Sequence, residues 1–239
     1  MVMIETTQRC RLTSVTLLLV YAAICVVSCT VETRFSSGSD VPDTYKEFQA
    51  ALADADGGTS PDDPVFVAFG GTETVLALYA AIARAGKYVS LDLSESSVTG
   101  FGDGDPSSPL GMSFIVSVAL PNNLSRIGRK AFEGCVNLRR AVIPDSVTEI
   151  GEYAFHSCLS LESVTIPENV DYIDRSAFSG CENLCAVHLM GYTRIADITV
   201  FPGGAKFREV AALSGTSEDG SYVAVRGTYM RSGTEWSGP

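Results

Sequence analysis

Cys185 and His188 are the two residues whose types could form a nucleophile and its base. Both fall on one predicted strand, facing the same side, three positions apart. Three residues along a strand span about 10 Å, which is beyond the hydrogen-bond reach that a thiol and its base require. The only other histidine, His156, lies on a different repeat. We therefore predict no catalytic residues, no cofactor and no enzymatic activity, and an exposed Cys185 thiol that could cross-link two chains remains the alternative reading.

An acidic loop, with Asp54 and Asp56 before Gly57-Gly58 and Asp62-Asp63 after it, could in principle bind calcium. An EF-hand loop needs a further ligand before its glycine and a bidentate Glu at its twelfth position, which here is Val65. The pattern favours a solvated connection rich in turn residues. We predict no metal site.

Composition narrows the possible partners. Of 239 residues, 28 are Asp or Glu and 17 are Lys or Arg, which gives a net charge of −11. Since no segment carries the clustered basic residues that phosphate contacts need, nucleic acid is excluded as a partner. The 46% hydrophobic content indicates a folded chain.

The first residues have the organisation of an export signal. Arg9 and Arg11 precede an apolar run, residues 12–27, that is too short to span a bilayer and ends in Val26-Val27-Ser28-Cys29. This end is similar to a lipobox, with Val26 where many lipoboxes have Leu. We predict a signal peptide over 1–28, lipidation of Cys29 and a tether over 29–43, so that acyl chains hold an exported lipoprotein on a membrane, surface-exposed or periplasmic. Ordinary secretion with an unmodified Cys29 is the alternative.

A 23-residue repeat determines the predicted architecture. Identical or similar residues recur at this spacing in several columns: Pro121, Pro144 and Pro167; Ile127, Ile150 and Ile173; Phe132, Phe155 and Phe178; Cys135, Cys158 and Cys181. Such periodicity predicts a solenoid in which each coil stacks on the next and buries every column. We predict a solenoid with about five stacked parallel strands, starting at Tyr88, Ile115, Leu138, Leu161 and Leu184.

The segment Leu120–Met190 resembles the BspA-type leucine-rich repeats of spirochaete and oral-anaerobe surface proteins. It has their pattern P-x-x-V-x-x-I-G-x-x-A-F-x-x-C-x-x-L-x-x-V-x-I. The resemblance implies that the fold is an α/β leucine-rich-repeat solenoid. It also implies a cell-surface or periplasmic protein, a class in which several family members have an adhesive role.

Caps are predicted at both ends of the solenoid. Thr44–Ala55 and Glu73–Ala85 have helical periodicity, and Val65–Phe69 has strand character. They form a predicted N-terminal α/β cap over 44–113, including a first irregular repeat, ahead of repeats over 114–203. Alternation in Ser221–Trp236 predicts a β-hairpin within a C-terminal cap over 204–239.

The cysteine column is predicted to hold buried, reduced thiols. Side chains stacked in parallel stay about 4.8 Å apart, which exceeds the usual Cβ separation in a disulfide. Three thiolates in a line also lack tetrahedral geometry for zinc.

The concave strand face is the predicted binding site. Its outward positions form an apolar strip, Val89, Val116, Ala119 and Val142, whose binding should depend weakly on salt. The predicted contact residues for a protein or extended peptide are Val89, Val116, Ala119, Arg139, Arg140, Val142, Glu162, Thr165 and His188. Two alternatives remain: a tightly curved sheet with no room for large side chains, and a structural or periplasmic envelope lipoprotein without a host ligand.

Overall fold

The N-terminal helix is specified by its cap. In the computed structural model, which describes residues 44–72, 75–98, 101–102, 113–197, 199–203, 207, 214–216 and 222–238, α1 spans Tyr45–Asp54. Thr44 and Glu47 form a capping box, in which the Glu47 backbone N–H donates to Thr44 Oγ1 at 3.4 Å and the Thr44 N–H to Glu47 Oε2 at 3.3 Å. The predicted signal peptide, Cys29 and the tether lie outside the described residues.

A parallel strand pair with a crossover helix follows. Strand β1 (Val65–Ala68), helix α2 (Val75–Ala85) and strand β2 (Val89–Asp92) form this unit, and β1 pairs with β2 in parallel. Gly86 ends α2 with φ of 62°, a conformation that glycine adopts without steric cost. Neither α1 nor α2 is long and apolar enough to cross a membrane, and the described residues contain no other helix that is.

The repeats supply two rows of short parallel strands. The front row continues from β2 with β3 (Ile115–Ala119), β5 (Arg140–Val142), β7 (Ser163–Ile166) and β9 (Ala186–Leu189). The back row consists of β4 (Arg126–Ile127), β6 (Glu149–Ile150), β8 (Tyr172–Ile173) and β10 (Thr193–Ile195), stacked in that order. This arrangement confirms the predicted solenoid.

The phenylalanine column forms the centre of the core. Rings of Phe132, Phe155 and Phe178 stack nearly parallel, with centroids 5.2 and 5.1 Å apart and interplanar angles of 7° and 5°. The stack continues to Phe101 at 5.9 Å on one side and to Phe201 at 5.3 Å on the other. It is therefore longer than the three rings predicted.

The cysteine column is buried, and none of its three thiols forms a disulfide. Cys158 Sγ donates to the Phe132 carbonyl at 3.2 Å and Cys181 Sγ to the Phe155 carbonyl at 3.1 Å, in both cases 26 residues back. Hydrogen bonding with Cys181 and burial raise the pKa of the Cys158 thiol well above its ordinary value. The prediction of buried, reduced thiols is confirmed, with the addition that they link neighbouring coils.

Antiparallel strands close the C-terminal end of both rows. On the back row, β12 (Tyr222–Ala224) pairs with β10, and β11 (Ser214–Thr216) pairs with β12. On the front row, β13 (Gly227–Ser232) pairs with β9 and forms a hairpin with β14 (Glu235–Ser237), as predicted for this end of the chain. Trp236 Nε1 donates to the Pro202 carbonyl at 2.8 Å, and Arg231 Nε donates to the Leu184 carbonyl at 2.7 Å.

Candidate functional site

The front face is the outward side of the front row of strands. The register of β1, β2, β3 and β5 places two lines of outward side chains across it. One line is Phe66, Ser90, Ser117 and Arg140, and the other is Ala68, Asp92, Ala119 and Val142. In β7 and β9 the corresponding pairs are Ser163 with Ala186 and Thr165 with His188. Most of these side chains are small, so the few large ones determine what the face can bind.

The prediction that Val89 faces outward is wrong. Val89 is fully buried and belongs to the hydrophobic core, together with Leu91. Side chains alternate along β2, so Val89 lies on the same inner side as Leu91, while Ser90 and Asp92 face outward. Val89 pairs with Ile115 and Ser90 with Ser117, so the bulge residue Val116 of β3 has no partner on β2. Because β2 lacks the extra residue that β3 has at Val116, Val89 is equivalent to the inward Ile115 and not to Val116.

The apolar strip is consequently not an exposed surface. Val116 is only 5% exposed, although it lies outside the core cluster, and Ala119 is half-buried. Val142 alone among the four is well exposed, at 45%. The predicted weak salt dependence loses its basis, because the accessible part of the face is polar and charged.

Basic side chains occupy the start of β5. Arg139 Nη2 lies 2.6 Å from Asp62 Oδ1, an ion pair between the loop ahead of β1 and a residue 77 positions away. Arg140 is exposed beside it, and none of the described residues forms an ion pair with it. An exposed guanidinium is a group suited to pairing with a carboxylate.

Glu162 and Thr165 are exposed on β7, next to β5. The Glu162 carbonyl accepts from the Cys185 backbone N–H at 2.9 Å, which anchors the next coil. The front face therefore has an accessible centre that combines Arg139, Arg140, Val142, Glu162 and Thr165.

His188 and Cys185 have separate partners. His188 Nδ1 lies 3.0 Å from Thr228 Oγ1 on β13, and burial lowers the pKa of this half-buried imidazole. Cys185 Sγ donates to the Glu162 carbonyl at 3.4 Å. The C-terminal strand β13 therefore engages His188, and it places this residue at the edge of the accessible centre.

A cluster that the sequence analysis missed brings Ser157, His156 and Glu133 together. Ser157 Oγ lies 3.1 Å and Glu133 Oε1 lies 3.7 Å from the same ring nitrogen, His156 Nδ1. A catalytic triad needs the hydroxyl and the carboxylate on opposite nitrogens of the imidazole, so that one accepts a proton while the other orients the ring. The cluster cannot relay a proton in that way. The 23-residue spacing of Glu133 and His156 could have indicated their proximity.

The acidic loop around Gly57-Gly58 contacts basic side chains of the protein. Asp62 pairs with Arg139, and Lys87 Nζ donates to the carbonyls of Leu52 at 2.8 Å and Ala55 at 2.7 Å, at the end of α1. An ammonium group there neutralises the negative end of the helix. In the part of the chain that the structure describes, no group of three or more His, Cys, Asp or Glu side chains is arranged to hold a metal ion.

Comparisons with solved structures find bacterial leucine-rich-repeat proteins. A leucine-rich-repeat protein of Treponema pallidum is 26% identical over 51% of this chain and 46% of its own, with a TM-score of 0.36. A leucine-rich cell surface protein of Faecalibacterium prausnitzii is 20% identical over 55% of this chain and 40% of its own, with a TM-score of 0.39. A leucine-rich-repeat protein of Bacteroides ovatus is 23% identical over 57% and 44%, with a TM-score of 0.34. The chain thus matches less than half the length of each of these proteins.

None of the curated proteins matches the chain. The family model for the BspA type leucine-rich repeat region matches residues 111–216, in six copies. That range contains strands β3 to β11, the rings of Phe132, Phe155 and Phe178, and the cysteine column. Residues 111–216 are therefore a BspA-type leucine-rich repeat region, the family to which this part of the chain belongs.

Proposed function

We propose that the chain is a protein-interaction module that binds an extended segment of a partner protein on the accessible centre of the front face. The observation that carries the proposal is the pair Arg140 and Val142, which point outward from the same strand. Leucine-rich-repeat solenoids present such faces to protein ligands. An exposed guanidinium and an exposed apolar side chain beside it suit a ligand with an acidic and an apolar residue.

The charged centre indicates the character of the binding. Arg139, Arg140 and Glu162 lie at its surface, so electrostatic attraction contributes to recognition, and we expect the affinity to fall as salt is raised. In this proposal the partner is a protein on a host or bacterial surface, which makes the chain an adhesin. A structural role in the envelope is the competing function.

Site-specific photo-crosslinking on living cells tests this proposal. A photo-reactive amino acid in place of Val142 should capture a partner protein, while the same group in place of Thr148, an exposed residue of the turn before β6, should not. Arg140→Glu should abolish the capture at position 142 without lowering the unfolding midpoint. Equal capture from both positions, or none from position 142, would contradict binding at this face.

We also propose that the protein is exported and anchored through acyl chains on Cys29. The support is the basic and apolar order of residues 9–27 followed by Ser28-Cys29. A fatty-acid label should be incorporated by the wild type and by Cys185→Ala, which keeps Cys29, but not by Cys29→Ala. If none of the three incorporates the label, ordinary secretion replaces lipidation.

Display on the cell surface separates the adhesin from the envelope role. Protease added to intact cells should degrade the repeat region if it is displayed outside. Full protection of the repeat region, with degradation after the cells are permeabilised, would end the host-adhesin proposal.

A further inference from the structure

Strand β1 is the outermost strand of the front row at its N-terminal end. The Val65 N–H donates to Tyr88 and the Phe69 N–H to Asp92, both at 2.8 Å, so alternate residues of β1 point their backbone groups toward β2. Phe66 and Ala68 therefore direct their N–H and C=O groups away from the sheet. Among the described residues, none forms a hydrogen bond with these outward groups.

The two ends of the front row differ in this respect. At the C-terminal end, β13 and β14 add antiparallel strands beyond β9. At the N-terminal end, α1 packs beside β1 through Phe48 and Phe69, whose ring centroids lie 5.7 Å apart, and both rings belong to the core. Natural proteins usually protect an open edge with charge, proline or a bulge. Here Pro64 directly precedes the strand, whereas residues 65–68 themselves read Val-Phe-Val-Ala. Phe66 is 41% exposed beside the open edge.

The charged residues around β1 indicate which kind of polypeptide strand could bind at this edge. Residues 44–72 contain one base, Lys46, and the acids Glu47, Asp54, Asp56, Asp62 and Asp63. Asp63, two positions before β1, is exposed, and no ion pair joins it to another described residue. A second copy of the chain, with a net charge of −11, would bring like charges together. A basic partner strand would instead be attracted.

We propose that the open edge of β1 binds an extended basic segment of another protein as an added strand. Backbone groups of the segment pair with those of Phe66 and Ala68, an apolar side chain lies against the Phe66 ring, and a Lys or Arg approaches Asp63. This mode of binding draws its affinity from main-chain hydrogen bonds and its selectivity from alternate side chains. It is separate from the front face around β5, where side chains alone would make the contacts.

A short fluorescent peptide that alternates Lys and Val is the probe, with the full chain as the receptor. Binding is measured by anisotropy. The matched peptide carries N-methyl groups on the amides that would face the edge, which removes the donors and leaves charge and side chains unchanged. We expect it to bind at least about tenfold more weakly, since its hydrogen bonds are lost. A peptide that alternates Glu and Val should also bind at least about tenfold more weakly, because of the acids around the strand.

Ala68→Pro tests the receptor side. It removes one outward N–H, whereas the N–H groups that pair with β2 belong to other residues, so the unfolding midpoint should be nearly unchanged. Ala68→Val keeps the N–H and is the matched control. We expect the Lys-Val peptide to lose at least about tenfold in affinity for Ala68→Pro and to retain its affinity for Ala68→Val.

Equal binding of the methylated and unmethylated peptides to the wild type would overturn the proposal, whatever the stability of the proline variant. A chain that dimerises without peptide, and becomes monomeric in Ala68→Pro, would assign the edge to a second copy instead and would equally overturn it.

Discussion

The interior and outer columns of the same coils differ in which residue types are stacked on one another. Inside, one residue type repeats, as in the stacked rings of Phe132, Phe155 and Phe178. Outside, complementary types alternate. Glu152 lies between two arginines 23 residues to either side, with Arg129 Nε at 3.0 Å and Arg175 Nε at 2.7 Å.

Other outer columns show the same alternation. Arg126 Nε pairs with Glu149 Oε1 at 3.2 Å, and further along that column the Arg194 guanidinium lies 5.4 Å from the centroid of the Tyr172 ring. Neighbouring strands are about 4.8 Å apart, so residues of a column are in direct contact. Identical apolar groups stack favourably at that spacing, whereas identical charges repel each other. Interior columns therefore stabilise the stacking of any coil on any other coil. Outer columns stabilise only the stacking of coils whose charges are complementary.

The largest effect is expected from the interior. Phe155→Ala removes the central ring of the phenylalanine column, where the side chain is fully buried between two other rings. We expect the free energy of unfolding to fall by about 3–5 kcal/mol, which urea denaturation would measure. Phe155→Leu, which keeps most of the volume, should lose clearly less. A loss below about 1 kcal/mol for the alanine variant would contradict the importance of the interior column.

A third type of column depends on the backbone. Gly134, Ser157 and Gly180 all have positive φ, of 74°, 58° and 75°. A Cβ at position 180 would also lie 3.0 Å from Ser157 Oγ. We expect Gly180→Ala to cost about 1–2 kcal/mol in urea denaturation, because an L-residue is strained in this conformation. In a Ser157→Gly background the loss should be smaller. Equal losses in both backgrounds would contradict the contact between coils.

Substitutions in the outer columns should change the stability less. Whether a substitution raises or lowers the stability should depend on the charges of the residues above and below it in the column. Glu152→Arg places three arginines next to one another in the same column, at positions 129, 152 and 175. The pairing with Glu152 that raises the pKa of Arg175 is then lost. We expect a lower urea midpoint, by less than for Gly180→Ala, with a difference that shrinks in high salt. Exchanging all three charges, with Arg129→Glu and Arg175→Glu added, should restore most of the midpoint. Failure of this restored alternation would show that the outer columns do not recognise charge.

His188 should give the smallest effect. Burial lowers its pKa in the folded state, so the unfolded chain takes up its proton at a higher pH than the folded chain does. This contribution to stability is complete above the ordinary histidine pKa of about 6.5 and is lost as pH falls through the lowered value. Between pH 7 and pH 5, the stability of His188→Gln should therefore decline slightly less than that of the wild type. An identical decline in urea denaturation would contradict the burial of this ring against β13.

The sequence by itself determined the repeated core. Residues 23 apart occupy equivalent positions in stacked coils, so the identities of the phenylalanine and cysteine columns were sufficient to predict their burial. The capping residue Thr44 and the stop at Gly86 are local signals, and the two helices were predictable from them and from their periodicity. Of the predicted front-face residues, those on the regular coils, Arg139, Arg140, Val142, Glu162 and Thr165, are exposed because the repeat phase holds there.

Only the tertiary structure decided the features that depend on contacts outside the repeat. Val116 is an extra residue of β3 that β2 lacks, so Val89 is equivalent to the inward Ile115, and nothing in the alternation of a short strand reveals such a register shift. The Asp62–Arg139 ion pair and the Lys87 contacts with the end of α1 join segments 77 and 32–35 residues apart without periodicity. The closing strands β12 and β13 run antiparallel to the coils they cover, so the 23-residue pattern carries no information on where they pair. The repeat predicts which residues of adjacent coils are in contact, because each coil stacks on the next in the same way. At the two caps this regular stacking ends, so the repeat no longer predicts the contacts.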